Sequence, residues 1–83
     1  MLYTLTGHAK RVLAEREIPI EWVERTLLAP QLREPDPDDA TLEHLYQRIP
    51  EFGGRALRVV VNTAVEPNRV VSVFFDRRRT RSL

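Results

Sequence analysis

Two valine-rich segments near the C-terminus constrain the fold more than any other feature. Residues 57–62 and 69–75 are rich in valine and phenylalanine, and six residues containing Glu66-Pro67-Asn68 separate them. Such composition favours strands, and the proline and asparagine between them favour a turn, so a β-hairpin is predicted. Because apolar residues fall on both faces of each strand, we expect the hairpin to be central in its sheet. Helices would cover one face and another layer, such as a second chain, the other.

Upstream, the pattern predicts two helices. Thr6 is a suitable N-cap for a helix running to about Glu17, and residues 2–5 allow a short strand before it. Pro19 suits the first turn of a second helix that ends at Pro30. Both segments carry apolar residues at helical spacing: Ala9, Val12 and Leu13, then Ile20, Val23 and Leu27.

The middle of the chain is harder to interpret. Residues 34–39 hold two prolines and three acidic aspartates, which is typical of a loop and does not indicate a metal site. Residues 40–49 fit either a helix or a strand, and periodicity alone favours a helix. The order of elements predicts an α+β fold in which two N-terminal helices pack on a small antiparallel sheet of three to four strands. Residues 1–83 would form one domain, with 77–83 as a flexible basic tail.

The composition excludes several classes of protein. The 83 residues include no cysteine, so disulfide frameworks and thiolate zinc sites are excluded. The longest uncharged run, residues 1–9, is too short for a membrane span, and it lacks the basic start of a signal peptide. We therefore expect a cytoplasmic protein with no cofactor and no membrane partner. A chain this short buries only roughly 60% of its unfolded surface, which makes a homodimer plausible.

The net charge of +1 conceals an uneven distribution. Residues 1–34 are neutral, residues 35–54 carry one arginine against five acidic residues (−4), and residues 55–83 carry seven arginines against two acidic residues (+5). A concentrated group of arginines is typical of surfaces that bind phosphate backbones. The alternative is a solvated tail, since short arginine-rich tails are common on domains that bind no nucleic acid.

The reactive side chains of this sequence, two histidines, several carboxylates and many arginines, suit acid–base chemistry on a phosphodiester. The chain has no glycine-rich phosphate loop and no serine or cysteine nucleophile motif, and its two histidines are 36 residues apart. We predict that Arg58 and Arg77 hold the phosphate, that His8 is the general base and that Asp76 orients an arginine. The predicted nucleic-acid contacts are Arg16, Arg55, Asn62, Arg78 and Arg79.

Each assignment has a structural alternative. His8 would pack at the start of the first helix, and Arg16 would form an ion pair. Arg58 and Asn62, on one face of a strand, would be satisfied by Asp76 or by the acidic loop. His44 is the weaker of the two histidines as a candidate.

Several motifs together resemble a known group of bacterial proteins. The threonine cap before His8-Ala9, Trp22 and Pro30 in and after the second helix, and the strands at 57–62 and 73–78 resemble a family of short domains of unknown function. That family is similar in outline to the RelE/ParE and BrnT toxin superfamily. Many members of the family of short domains resemble one another in carrying an arginine one turn before the position of Arg16, where this chain has Val12, and a glycine at the position of Glu17.

The resemblance implies a fold and a function. It implies helices on a small antiparallel sheet and shifts the interpretation of residues 40–49 toward a strand. With the arginines, it favours the toxin component of a toxin–antitoxin pair that cleaves RNA without metal, with RNA and a small antitoxin-like protein as partners. The alternatives are a non-catalytic module whose hairpin or sheet edge binds a small protein, and an inhibitor of gyrase or another protein.

Overall fold

The elements of the chain follow one another with short connections. The computed structural model describes residues 2–83. It contains β1 (Tyr3–Leu5), α1 (Gly7–Glu15), α2 (Ile20–Leu28), β2 (Leu32–Pro35), β3 (Leu42–Ile49), a 3-10 turn (Pro50–Phe52), β4 (Arg55–Asn62), β5 (Asn68–Asp76) and α3 (Arg77–Ser82). No helix in this range is long and apolar enough to cross a membrane.

The strands form one mixed sheet in the order β1-β5-β4-β3-β2. The predicted hairpin is confirmed as β4 and β5, and β4 is the central strand. The predicted count of three to four antiparallel strands is wrong, because the sheet has five and β1 pairs with β5 in parallel. The additional strand is β2, a short edge strand ending in Pro35, whose composition is that of a loop.

Residues 42–49 form strand β3, so the helix favoured by periodicity is wrong. All eight positions pair with β4. Leu45, Tyr46 and Ile49 are each at most 2% exposed although they do not all share one face of the strand. Two buried faces remove the alternation by which a strand is recognised, and a helical stripe then fits the same residues.

The end of α1 is set by a left-handed residue. The helix ends at Glu15, before the predicted Glu17, and Glu17 has a φ of 52°. The backbone N–H of Ile18 donates to the carbonyl oxygen of Leu13 at 2.9 Å, which closes the last turn as in a Schellman motif. Glycine is the residue best suited to this backbone conformation, so Glu17 holds it at a cost in conformational energy.

The main core lies between the sheet and the helices α1 and α2. Alternate residues of β3, β4 and β5 point toward it, among them Leu45, Leu57, Val59, Val61 and Val73, and they pack with Ala9, Val23 and Leu27 from the helices. The opposite side of the sheet carries Tyr46, Arg58 and Phe74 at paired positions. We call it the open face; α3 and the segment 34–37 border a cavity on it.

Residues 77–82, predicted as part of a flexible tail, form α3. The Asp76 side chain accepts a hydrogen bond from the backbone N–H of Arg79 and so caps the helix. The Arg48 guanidinium donates to the carbonyl oxygen of Leu83 at 2.7 Å, and the Ala56 backbone N–H donates to the Thr80 hydroxyl at 2.8 Å. These contacts hold the C-terminal arginines against the sheet.

Candidate functional site

Arg58 is held at the centre of the open face between two aromatic rings. It pairs across the sheet with Tyr46 on β3 and with Phe74 on β5. Its guanidinium carbon is 5.0 Å from the ring centroid of Tyr46 and 4.8 Å from that of Phe74. Both distances are in the range of cation–π attraction. Attraction to the two rings offsets part of the hydration free energy that the Arg58 charge loses by being partly buried.

Asp76 neutralises Arg58. Its carboxylate accepts a hydrogen bond from the Arg58 guanidinium, and its side chain is 9% exposed. Burial opposes the ionised form, but hydrogen bonds from the backbone of Arg79 and Arg78 and the charge of Arg58 outweigh it, so the pKa of Asp76 is lowered. The ionised carboxylate can orient Arg58 but cannot act as a proton donor near neutral pH.

A second ion pair joins α3 to β2 across the same face. Arg79 donates to the carboxylate of Glu34, and its guanidinium carbon lies 5.2 Å from the ring centroid of Tyr46. Tyr46 is 1% exposed, and burial raises the pKa of its hydroxyl, partly opposed by the charge of Arg58. Tyr46 therefore supports the two arginines and remains protonated near neutral pH.

A histidine–aspartate pair lies beside these arginines. His44 Nε2 is 2.7 Å from Asp36 Oδ1. Asp36 Oδ2 also accepts the backbone N–H groups of Asp38 and Asp39, at 3.0 and 2.9 Å. The hydrogen bond from His44, followed by these backbone bonds, lowers the pKa of Asp36. The carboxylate on Nε2 fixes the orientation of the ring, and in the neutral tautomer that carries its proton on Nε2 the acceptor atom is Nδ1.

These groups surround one cavity of about 430 Å³, which we call the open-face pocket. Its lining comprises Glu34, Pro35, Pro37, His44, Tyr46, Arg58, Asp76, Arg78, Arg79 and Ser82. Within residues 2–83, no three histidine, aspartate or glutamate side chains are grouped closely enough to hold a metal ion. The arginines of the pocket can bind an anion, and His44 can transfer a proton.

The structure brings together four of the residues predicted from the sequence and separates the others. Arg58, Asp76, Arg78 and Arg79 line the open-face pocket. His8, Arg16 and Arg55 line a different groove, between α1 and β5, and Arg77 lies with Arg55 in a third depression. Asn62 is at the end of β4, where its side chain accepts the Ala64 backbone N–H at 2.9 Å.

The predicted set of His8, Arg58, Asp76 and Arg77 therefore does not form one site. His8 is on α1, which packs against the face of the sheet opposite Arg58. Arg77 is the first residue of α3 and lies beside Arg55 and Phe75, away from the pocket. Asn62 shares the face of Arg58 but is four residues along the strand, a separation of roughly 13 Å.

Four residues at or beside the pocket were not predicted as site residues from the sequence: His44, Asp36, Glu34 and Tyr46. Eight residues separate His44 from Asp36, and the register that pairs β2 with β3 places Glu34 opposite His44. Residues 34–39 were predicted as a loop and no strand was predicted at 32–35, so the pairing of β2 with β3 that creates these contacts could not be predicted. A sequence signal was present in the aspartates of residues 36–39, whose turn holds Asp36 in place.

The comparisons with known proteins identify the family. No curated protein and no solved structure matches this chain. One family model, described as a domain of unknown function (DUF4258), matches residues 5–75, from the end of β1 to near the end of β5. This match covers most of the sheet, and the chain belongs to the DUF4258 family.

Proposed function

We propose that this protein cleaves RNA by acid–base chemistry that uses no metal ion, with the open-face pocket as its active site. The observation that carries the proposal is that His44, which is hydrogen-bonded to Asp36, lines the same pocket as Arg58, Arg78 and Arg79. A base and several cations around one cavity are what phosphodiester cleavage requires. The resemblance to the RelE/ParE and BrnT toxins supports a toxin role, with a small antitoxin-like protein as partner.

His44 replaces His8 as the general base in this proposal. Asp36 holds the Nε2 side of the ring, so Nδ1 is free to accept the proton of a ribose 2′-hydroxyl group. The 2′-oxygen then attacks the adjacent phosphorus, a 2′,3′-cyclic phosphate forms, and the departing 5′-oxygen takes a proton from water. The ring later returns its proton to solvent.

The arginines differ in how they would contribute. Arg78 is exposed, and within residues 2–83 it is in no salt bridge, so its full charge is available to a phosphate. Arg58 and Arg79 are paired with Asp76 and Glu34 and are oriented by the Tyr46 ring. Such fixed donors stabilise the charge that develops on the phosphate without reorganising during the reaction.

The test is cleavage of a long single-stranded RNA by purified protein in the presence of EDTA. We expect products with 2′,3′-cyclic phosphate ends. His44→Ala should lower the rate by about 10²-fold or more, the usual contribution of a general base. Arg78→Ala should lower it less, and Arg11→Ala, which removes an exposed arginine outside the pocket, should leave it unchanged.

Two outcomes would overturn the proposal. One is intact RNA at high concentrations of folded wild-type protein. The other is equal cleavage by wild type and His44→Ala purified side by side, which would assign the activity to a contaminant. Circular dichroism of each variant shows whether a lost rate reflects a lost fold.

A further inference from the structure

The outer edge of β5 is only partly covered by another strand. β1 pairs with Asn68, Arg69 and Val70, and the Thr6 hydroxyl reaches the carbonyl oxygen of Val71. In the part of the chain that the structure describes, no strand pairs with residues 72–76 on that side. A strand edge with unpaired N–H and C=O groups is a template for a further strand.

A groove runs along this free edge between α1 and β5, with a volume of about 400 Å³. Its apolar lining includes Val12, Phe52, Phe74 and Phe75. Phe52 and Phe74 are 41% and 39% exposed, which is unusual for large aromatic side chains. The ring of Phe52 stacks on that of Phe75 with 4.7 Å between their centroids, so the two rings form one continuous apolar surface in the groove.

The charges along this groove are predominantly positive. Arg16 and Arg55 line it, opposed by Glu15, and an adjoining depression that shares Arg55 and Phe75 adds Arg77 and Arg81. Within residues 2–83, none of these four arginines is in a salt bridge. A second copy of the chain paired edge to edge would bring the same cations together, so charge favours an acidic occupant over self-association.

We propose that the free edge of β5 binds an extended acidic segment of another protein, which joins the sheet as a sixth strand beside residues 72–76. The backbone of the segment would pair with β5. Its side chains would alternate between the two faces of the sheet, acidic ones toward Arg16 and Arg55 on the side of α1 and apolar ones over Phe74 on the open face. An RNA strand could contact the arginines, but it has no peptide N–H and C=O groups with which to pair with the edge of β5. The proposal does not depend on cleavage at the open-face pocket.

The test uses the synthetic peptide acetyl-(Glu-Val)₄-amide and the full protein labelled with ¹⁵N. We expect saturable binding and slower hydrogen exchange of outward-facing amides in residues 72–76. A peptide N-methylated at every residue has no N–H donors on either edge and should bind more than about tenfold more weakly, as should acetyl-(Lys-Val)₄-amide.

Protein variants separate the charge contribution. Arg16→Glu combined with Arg55→Glu should weaken the acidic peptide more than about tenfold. Lys10→Glu reverses one charge on α1 outside the groove and should leave the affinity nearly unchanged. His44→Ala should also bind normally, which distinguishes a failure of this surface from a failure of the proposed active site.

Three results would overturn the proposal. The N-methylated peptide could bind as tightly as the parent peptide, which would exclude strand pairing. Sedimentation could show a dimer in which residues 72–76 are protected without peptide, which would make a second copy the occupant. Oligouridylate could displace the peptide and shift the same amides more strongly, which would make RNA the occupant.

Discussion

Replacing Asp76 by alanine removes two contacts at once. The carboxylate accepts the Arg58 guanidinium, and it accepts the backbone N–H of Arg79 at 3.0 Å as the cap of α3. Asp76 is 9% exposed and the Arg58 side chain is 23% exposed, so water cannot fully replace the lost partner. Asp76→Ala therefore leaves a largely buried arginine unpaired and α3 uncapped.

The magnitude can be worked from these two losses. An N-cap contributes about 1 kcal/mol. Breaking a fully buried ion pair costs about 3–5 kcal/mol, and because Arg58 is partly exposed and keeps its two aromatic contacts, we expect about 2 kcal/mol here. The total of about 3 kcal/mol is a large part of the roughly 4–12 kcal/mol typical of 83 residues. Tm should fall by about 10–25 °C.

Urea denaturation followed by circular dichroism measures this loss, with Asp76→Asn as the matched control. Asparagine can still cap α3, so its loss should be smaller by about 1 kcal/mol. Combining Arg58→Met with Asp76→Asn removes both charges and should recover most of the stability. The reasoning would be refuted if Asp76→Ala cost less than about 1 kcal/mol, or if the double variant were no more stable than Asp76→Asn.

Two further predictions concern single residues outside the pocket. Glu17 has a φ of 52°, a conformation that glycine adopts without strain. Glu17→Gly should therefore raise the free energy of unfolding by up to about 1 kcal/mol, whereas Glu17→Ala should not. Equal effects of the two substitutions in urea denaturation would contradict this reasoning. The hydrogen bond from Arg25 lowers the pKa of Glu51 from 4.5 to about 2, so this pair stabilises the fold fully above pH 4.5 and progressively less as the pH falls toward 2. Glu51→Gln should therefore have a lower Tm than wild type at pH 6, and the difference should shrink at pH 3; a constant difference in thermal melts would argue against the ion pair.

Local patterns predicted the elements whose signal comes from nearby residues. The hairpin of β4 and β5 is evident from its β-branched composition, and α1 and α2 from a threonine cap, a proline and helical spacing. Strand β3 has no such signal because both of its faces are buried. Strand β2 has none because three of its four residues are charged or proline. The same limit applies to α3: its Asp76 cap is local, but the contacts that anchor it to the sheet come from β3 and β4.

The contacts of the candidate site also separate into those that could be predicted from the sequence and those that depend on strand register and packing. The pairing of Arg58 with Asp76 was one of the alternatives open from the sequence, because a polar side chain in an apolar strand needs a partner. The His44–Asp36 pair was not predictable, since it depends on the turn at residues 36–39 and on the register of β2 against β3. His8 and Arg77 had suitable chemistry but lie away from the pocket, because α1 packs on the other face and α3 turns Arg77 toward Arg55.

Local sequence patterns were enough to indicate an α+β fold with a central valine-rich hairpin, two helices before it and an excess of arginine after residue 54. Propensity, capping and composition act over a few neighbouring residues, and these features need nothing more. Long-range packing fixes which arginines contact a carboxylate, which histidine lies beside them and which part of a strand edge has no neighbouring strand. Those outcomes depend on strand order, register and the face to which each side chain points, and these are properties of pairing between distant segments.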